Sequence, residues 1–531
     1  MKSIITKTII VLGIIFLFIK GLEWWLEHNF EATLNNNPER SYNITYSDFD
    51  LDTFFKGITL DKVNIEPVNN PEGSIIVGHV DYATIKGLQW VELLFRKRLD
   101  LKQIVFKNPH FEVSLSADST KKTNGKGIQG LFGDILSRAN VKQFSLIDGS
   151  VEIKDRTTGT LRGSLKHLNI EAQDILTDSL HWKHIIPFEL KELNITIDSV
   201  NVHLNDYSNL SLGKFKYDLI QKEMILSDIS LNYSIDWVQV SQRLGFQNDI
   251  IELQLKELVI NNLQPSSEFY TSLDIVADKI RIDSLDIHLR RNKNLSRPPD
   301  EKKPMFNGMI DGLPVALKLD SLQITNSTVS YSELGVKKHE SGTVKLTEIN
   351  GLVSKVTNVP ETQKEWKQMT ANIDSKIASA ATVKVDFGMP YDKDSFALNV
   401  DVGRMNMNVL NPTLKPLAGV EIMSGRMQRI YYKMNAGKYT SQNKLIFDYS
   451  DLHLNIIKEN ADKKVKKMAL ESFIANSAIR NNNIPSDKKY LTADYKYNRN
   501  IYRSPINYII QGLMHGFTRI VPGKGVQKLI N

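Results

Sequence analysis

From Tyr42 onward the chain alternates. Ile58–Ile65 (Ile-Thr-Leu-Asp-Lys-Val-Asn-Ile), Leu317–Ile324 (Leu-Lys-Leu-Asp-Ser-Leu-Gln-Ile) and Leu452–Ile456 (Leu-His-Leu-Asn-Ile) interleave apolar and polar side chains. A period of two commits a segment to a strand with one wet and one apolar face, because successive side chains leave a pleated backbone on opposite sides. Asn, Asp and Gly punctuate these runs as turns require. Long amphipathic stretches are few, so the helix content should fall clearly below the usual third.

One thirteen-residue pattern recurs without gaps, at Leu101–Val113, Val141–Ile153 and Leu319–Tyr331. Its form is apolar, two residues, apolar, one, apolar, one, Asn or Asp, a turn residue, one, apolar, one, apolar. Looser copies begin at Leu190, Leu255 and Ile280. The Asn or Asp predicts a chain reversal, so each copy reads as a strand pair. A strand pair cannot bury its apolar face alone, and stacking such units gives a long curved, twisted sheet with a continuous apolar side. The predicted fold is therefore mainly β: a β-groove of repeated strand pairs with few short helices. The residues predicted to line the groove are Ile104, Phe106 and Phe111, then Phe144, Leu146 and Val151, then Leu322, Ile324 and Val329. Such a face must be covered by other elements or must bind something apolar.

The N-terminal thirty residues differ. Thr8–Ile19 carries no charge and is flanked by Lys7 and Lys20. Extended from Ile4 to about Leu26, it is long enough to cross a bilayer, with Lys7 and Lys20 snorkelling. Ile9, Ile10, Ile14, Ile15, Phe16, Leu17 and Phe18 would face lipid, and Trp24 and Trp25 would sit in the interfacial belt. Lys2 and Lys7 place the N-terminus in the cytoplasm by the positive-inside rule. A cleaved signal peptide and a buried helix are the competing readings, although Gly21-Leu-Glu-Trp-Trp25 offers no small-residue cleavage site.

Ser116–Gly127 has linker composition, and Ile128–Ala139 reads as a short amphipathic helix. Arg290–Lys303 reads as an exposed loop, Gly403–Leu417 as a short helical crossing, and Glu459–Lys467 as a charged linker. In the tail, Ser504-Pro505 has the form of a helix start. Ile506, Ile509, Ile510, Leu513, Phe517 and Ile520 then fall on one face. That helix either caps the sheet or lies on a membrane surface, where Arg519, Lys524 and Lys528 would assist. Gly512-x-x-x-Gly516 within it has the spacing of a helix-packing motif.

Residues that carry chemistry are sparse. There is no cysteine, which removes disulfides, thiolate metal sites and cysteine nucleophiles. No phosphate-binding glycine loop, nucleophile elbow or His-Glu-x-x-His motif occurs. His181 and His184 lack a third ligand nearby. Asp48, Asp50 and Asp52 alternate with Phe49, Leu51 and Thr53 and read as the wet side of an edge strand rather than a calcium site. A net charge of +7 spread over 531 residues gives no reason to expect a nucleic-acid partner. Arg96-Lys-Arg98 and the basic balance allow contact with anionic headgroups. The reading is non-enzymatic, without cofactor or metal.

The order of segments resembles the AsmA-like family of bacterial envelope proteins. The anchor is followed by Phe55-Lys-Gly-Ile-Thr-Leu-Asp-Lys-Val-Asn-Ile65, a strand over 76–85, Leu88-Gln-Trp-Val-Glu-Leu-Leu-Phe95, and the pair ending in Asn108-Pro-His-Phe-Glu-Val113. Val409–Met427 and Phe447–Leu454 look like that family's C-terminal module. On this resemblance the chain divides into an anchor (1–28), an N-terminal β module (29–116), a linker and short helix (117–140), repeated strand pairs (141–375), a C-terminal β module (376–458), and a tail (459–531) with the helix at 504–521. The resemblance implies an inner-membrane protein, single-pass, with its bulk in the periplasm. It also implies kinship with bridge-like lipid-transfer proteins and a role in phospholipid traffic or outer-membrane maintenance. The alternative is a structural or assembly factor of the envelope with a protein partner.

Overall fold

The computed structural model describes residues 42–51, 57–68, 75–87, 99–115, 139–176, 191–264, 274–336, 340–456 and 479–522, together with Gln89 and nine scattered residues between 17 and 35. Of the described residues 63% lie in strands and 14% in helices, so the protein is mainly β, with parallel and antiparallel pairing both present. The chain divides into two compact units, Met1–Leu226 with Pro265–Ser272, and Ser227–Gln264 with Leu273–Asn531.

In the first unit the described elements from Tyr42 onward are strands. β1 (Tyr42–Thr45) and β2 (Asp48–Leu51) pair side by side along β3 (Gly57–Pro67), which pairs with β4 (Ile75–Lys86). β4 pairs with β6 (Gln103–Leu115), which follows the short β5 (Leu99–Leu101). β6 runs parallel to β7 (Ala139–Asp155). β7 pairs antiparallel with β8 (Leu161–Leu176), and β9 (Glu192–Ile197) and β10 (Ser199–Asn205) share the far side of β8. β11 (Ser208–Leu212) pairs with β10 and β12 (Lys214–Asp218) with β9. β13 (Glu223–Tyr233) contains the division point.

The repeat is not a strand pair. In the three ungapped copies a single long strand carries the pattern through the Asn or Asp, which sits inside it with positive φ: Asn108 at 50°, Asp148 at 57° and Asn326 at 51° (Leu101 alone lies in the short β5 ahead of β6). The chain does not reverse there. The left-handed residue adds one position to the strand, a bulge of the kind that shifts side-chain phase. This resolves a parity problem in the pattern. Ile104 and Phe106 are even, Phe111 and Val113 odd, and an unbroken strand would send the two pairs to opposite faces. The buried residues of the neighbouring strands record the same shift: Ile58 and Leu60 then Val63 in β3, and Ile76, Gly78 and Val80 then Ala83 in β4. Asn and Asp tolerate the left-handed region better than most residues, which explains their place in the pattern.

The copies pair in the phase of their sequence alignment. Ile104 lies beside Phe144, Phe106 beside Leu146 and Phe111 beside Val151 in the parallel β6–β7 pair. In the second unit, β15 (Ile275–Asn292) runs parallel to β16 (Leu317–Leu334) in the same way, Ile282 beside Ile324 and Ile287 beside Val329. The looser copy read from Ile280 is thus the parallel neighbour of the copy in β16.

The second unit's sheet continues antiparallel from β14 (Asp249–Asn261) to β15, and from β16 through β17 (Ser341–Thr357), β18 (Gln368–Ile377), β19 (Ala381–Pro390) and β20 (Phe396–Val402). After the two-residue β21 (Met405–Asn406) it ends with β22 (Val420–Ala436), β23 (Thr440–Ile456) and β24 (Ala493–Asn498). Among the described residues five helices decorate it: α1 (Trp237–Leu244), α2 (Phe306–Asp311), α3 (Pro360–Trp366), α4 (Asn411–Ala418) and α5 (Pro505–Ile520). The expected crossing at 403–417 is α4 with its preceding 3-10 turn. The expected loop at 290–303 begins later, because β15 runs on to Asn292.

The tail helix forms where expected, capped by the Ser504 side chain accepting from Asn507 N–H, but it faces differently. Its buried residues are Pro505, Tyr508, Gly512, Gly516 and Ile520, whereas Ile506 and Ile510 point outward, 58% and 51% exposed. Close approach decides the orientation. A Cβ at Gly512 would lie 2.7 Å from Tyr432 Oη, and one at Gly516 2.4 Å from Tyr495 Oη. The Tyr495 hydroxyl donates to the Gly512 carbonyl at 2.7 Å. The Gly-x-x-x-Gly pair thus serves helix-on-sheet packing.

The predicted anchor lies largely outside the described residues. Each described residue from Leu17 to Ala32 is helical, with Leu17 71% and Trp24 60% exposed. No helix among the described residues is long and apolar enough to cross a membrane. Ile9, Ile10, Ile14, Ile15, Phe16, Phe18 and Trp25, the helix expected at 128–139 (apart from Ala139, which opens β7), Asp52, Arg96–Arg98, His181, His184, the linker at 459–467, Lys524 and Lys528 lie outside the described residues. Asn35 ties the N-terminal segment to β1, accepting from Ile44 N–H and donating to Ile44 O at 2.9 and 2.8 Å.

Candidate functional site: an apolar sheet face

Strand register gathers the predicted groove residues into rows. In the first unit one row runs Leu51, Ile58, Ile85, Ile104, Phe144, Ala172, Leu193 from β2 to β9. A second runs Phe49, Leu60, Ala83, Phe106, Leu146, Ile170, Ile195, Tyr217. Beyond the bulges a third runs Ile44, Ile65, Gly78, Phe111, Val151, Leu165, Val200, Leu212. Phe106 and Phe144 meet edge to face at 6.0 Å, and Phe111 lies over Gly78, whose missing Cβ would sit 2.8 Å from its ring.

These rows are buried unequally. Ile104 is 4% exposed, and Phe49, Leu60, Val63, Val80 and Ala83 form a core cluster against which Phe106 packs. In the third row Phe111, Val151, Leu165, Val200 and Leu212 are only half-buried, shielded by their neighbours in the sheet. Asn35, just after the described helical residues from Leu17 to Ala32, bonds to Ile44 at the end of this row.

The second unit repeats the arrangement. Leu258, Ile282, Ile324, Gly351, Ile373, Val385, Val400, Tyr432, Leu445 and Ala493 form one row across ten strands. Leu322 lies in the adjacent row with Ile280 and Val353, and Val329 in a third with Ile287 and Leu346. From Leu258 to Val400 the first row is half-buried, then Tyr432 and Leu445 drop to 1% and 0% exposure under α5. The C-terminal strands are therefore a filled core. Phe306 of α2 adds to it, edge-on to Phe387 and Phe396 at 5.3 Å each. Leu322, Ile324 and Val329 lie outside that cluster. The structure thus groups six of the nine predicted residues in the first unit and three in the second.

The reverse side of each sheet is polar, and the bulges organise it. Asp148 N–H donates to the Asn169 side-chain carbonyl at 3.0 Å, while Asn169 Nδ2 donates back to the carbonyl of His167, itself at φ 55°. Asn326 N–H, Asn350 and Glu348 (φ 50°) repeat the device at 3.1 and 2.9 Å. At Asp451 (φ 56°) only the accepting half recurs, its N–H donating to the Asn482 side-chain carbonyl at 2.9 Å. Asn169 and Asn350 each supply the acceptor and donor that the bulge removes from the ladder. Around the first, His110, Asp148, Ser150, Glu152, Lys166 and His167 line a shallow depression of roughly 350 Å3. His167 Nδ1 meets Asp148 at 2.6 Å and His110 Nδ1 meets Ser150 Oγ at 2.8 Å. In the second, Asp283 takes hydrogen bonds from Thr325, Asn326 and Ser284, and the Thr325 hydroxyl above all holds its carboxyl below the usual range. Among the described residues no His, Asp and Glu cluster could hold a metal ion.

The clamp asparagines were not singled out from sequence. Their signal is faint: an Asn two residues after the left-handed position of the antiparallel neighbour. Compared with known protein families and with curated proteins, the chain matches none.

Proposed function

We propose that this chain is a lipid-binding protein of a bacterial envelope, akin to AsmA-like, bridge-like lipid-transfer proteins, and that its bulged sheets receive phospholipid acyl chains on their apolar faces. The N-terminal segment anchors it in the inner membrane and the two β units act in the periplasm, without catalysis. One observation carries this reading: a long in-register apolar row of the first unit that stays half-buried from Phe111 through Val151, Leu165 and Val200 to Leu212. Water against such a face is costly, and each methylene laid on it would gain up to about 0.8 kcal/mol. The rows run across strands, so a chain lying along them crosses many strands and touches each through one residue.

A second reading, a structural or assembly factor, draws on the filled C-terminal part of the second unit, where α5 leaves no room for an acyl chain.

A photo-crosslinking residue placed in the full chain at Phe111 or Val329, and at His110 or Gln323 on the polar side as controls, separates the two. Phospholipid adducts confined to Phe111 and Val329, found by mass spectrometry after illumination in cells, support the lipid reading. Adducts at neither apolar position, or equally at all four, defeat it, and protein adducts at Phe111 would identify an assembly partner instead.

A further inference from the structure

α5 is inverted for a helix that merely caps a sheet. Glycines and Tyr508 face inward, while Ile506, Ile510 and Met514, 58%, 51% and 51% exposed, form an outward stripe at four-residue spacing. Tyr502, 37% exposed, extends it. Rolling the helix to bury the stripe would break the contacts of Gly512 and Gly516 with the hydroxyls of Tyr432 and Tyr495, so the orientation is fixed by packing. Surface helices ordinarily turn such residues toward the core.

Charge selects the occupant. From Tyr495 to Asn531 the sequence contains no Asp or Glu, and although Arg499 is buried on backbone carbonyls, Arg503 precedes α5 and Arg519 lies exposed in its last turn. A second copy of the same surface would bring cation against cation. An anionic lipid surface offers both an apolar layer for the stripe and headgroups for the cations, at about 1 kcal/mol per basic residue near the surface. We propose that the outer face of α5 docks on an anionic membrane, Ile506, Ile510 and Met514 entering the interface. This does not rest on the lipid-groove reading, since the stripe lies on the helix and not on the sheet.

The chain has no cysteine, so Met514→Cys in the full-length protein carries a single environment-sensitive dye. The protein is reconstituted into phosphatidylcholine vesicles and mixed with free vesicles of phosphatidylcholine alone or with about 30% phosphatidylglycerol. A blue-shifted, brighter emission with the anionic vesicles only, weakened by about 0.5 M salt, is the expected result. The same dye at Lys384→Cys, exposed on a strand, should not respond. Ile506→Asp with Ile510→Asp should weaken vesicle binding at least about tenfold, and Ile506→Gln with Ile510→Gln serves if the acidic pair unfolds. An unchanged spectrum with anionic vesicles, an equal response to neutral ones, or full binding by the double variants overturns the proposal. A shift that grows with protein concentration without free vesicles also overturns it and assigns the face to a second copy.

Discussion

The side-chain carbonyl of Asn350 accepts the backbone N–H of Asn326 at 3.1 Å, at the point where φ in β16 turns positive. The bond lets an apolar pattern of mixed parity occupy one face, because it closes the gap that the extra residue opens in the ladder. Asn350→Ala leaves the Asn326 N–H and the Glu348 carbonyl without these partners. The expected cost is about 1–2 kcal/mol, read as a lower urea midpoint with unchanged slope. Asn169→Ala should behave alike in the first unit.

The bulge residue itself discriminates by backbone. Asn326→Gly should be nearly neutral, since glycine adopts φ of 51° freely. Asn326→Val should cost on the order of 2 kcal/mol, because a β-branched side chain resists that region. Equal midpoints for the two variants would show that the position does not govern the strand.

Gly516→Ala puts a methyl 2.4 Å from Tyr495 Oη and 2.7 Å from Leu445 Cδ2. Overpacking of about 1–3 kcal/mol opposes a helix-propensity gain of about 1 kcal/mol. A net loss at the weak end of that range, partly recovered by adding Tyr495→Phe, is expected in a thermal melt.

Arg499, 8% exposed, donates to the carbonyls of Lys303, Pro304 and Arg503 and so holds the approach to α2 beside the start of α5. Arg499→Ala strands three acceptors and should cost about 3 kcal/mol or more. Arg499→Lys should not restore it, because an ammonium lacks the planar fork. Faster amide exchange at residues 303–311 in both variants checks this.

His515 lies between the rings of Tyr495 and Tyr497, with Arg519 alongside, and burial, helped by that guanidinium, lowers its pKa. The folded form therefore binds its proton less readily than the unfolded chain. Stability is complete above the ordinary value near 6.5 and falls as the pH drops through it toward the folded value. The protection factors of the α5 amides, with the intrinsic pH dependence of exchange divided out, should fall as the pH drops from about 7.5 to 5.5, and His515→Asn should flatten that dependence.

The strands were legible because alternation is a local property. Ile104, Phe106, Phe144 and Leu146 could be assigned to one face from spacing alone, whereas the parallel pairing of the copies in equal phase was not expected. The reversal at Asn108, Asp148 and Asn326 was misread, because a residue suited to φ near 50° serves a turn and a bulge equally. The parity change between Phe106 and Phe111 was the distinguishing sign. The orientation of α5 was illegible for a different reason: helical periodicity ranks faces by hydrophobicity, and the close contacts of Gly512 and Gly516 favoured the small face instead. The clamp asparagines act across strands distant in sequence, where no local pattern points to them.

Parallel pairing of copies in equal phase constrains how such a chain can change length. A single-residue deletion within β16 ahead of Asn326 would turn Leu322 and Ile324 toward the polar side and take them out of step with Ile280 and Ile282. The segment between β15 and β16 carries no such restriction, because it crosses between strands whose register is set elsewhere. Duplication of a whole strand with its crossover preserves every existing row and lengthens it by one side chain. Lineages built on this plan are thus expected to differ in width by entire strands and in crossover length freely, while the bulge keeps its place along each strand like a notch cut at one height through every plank of a fence.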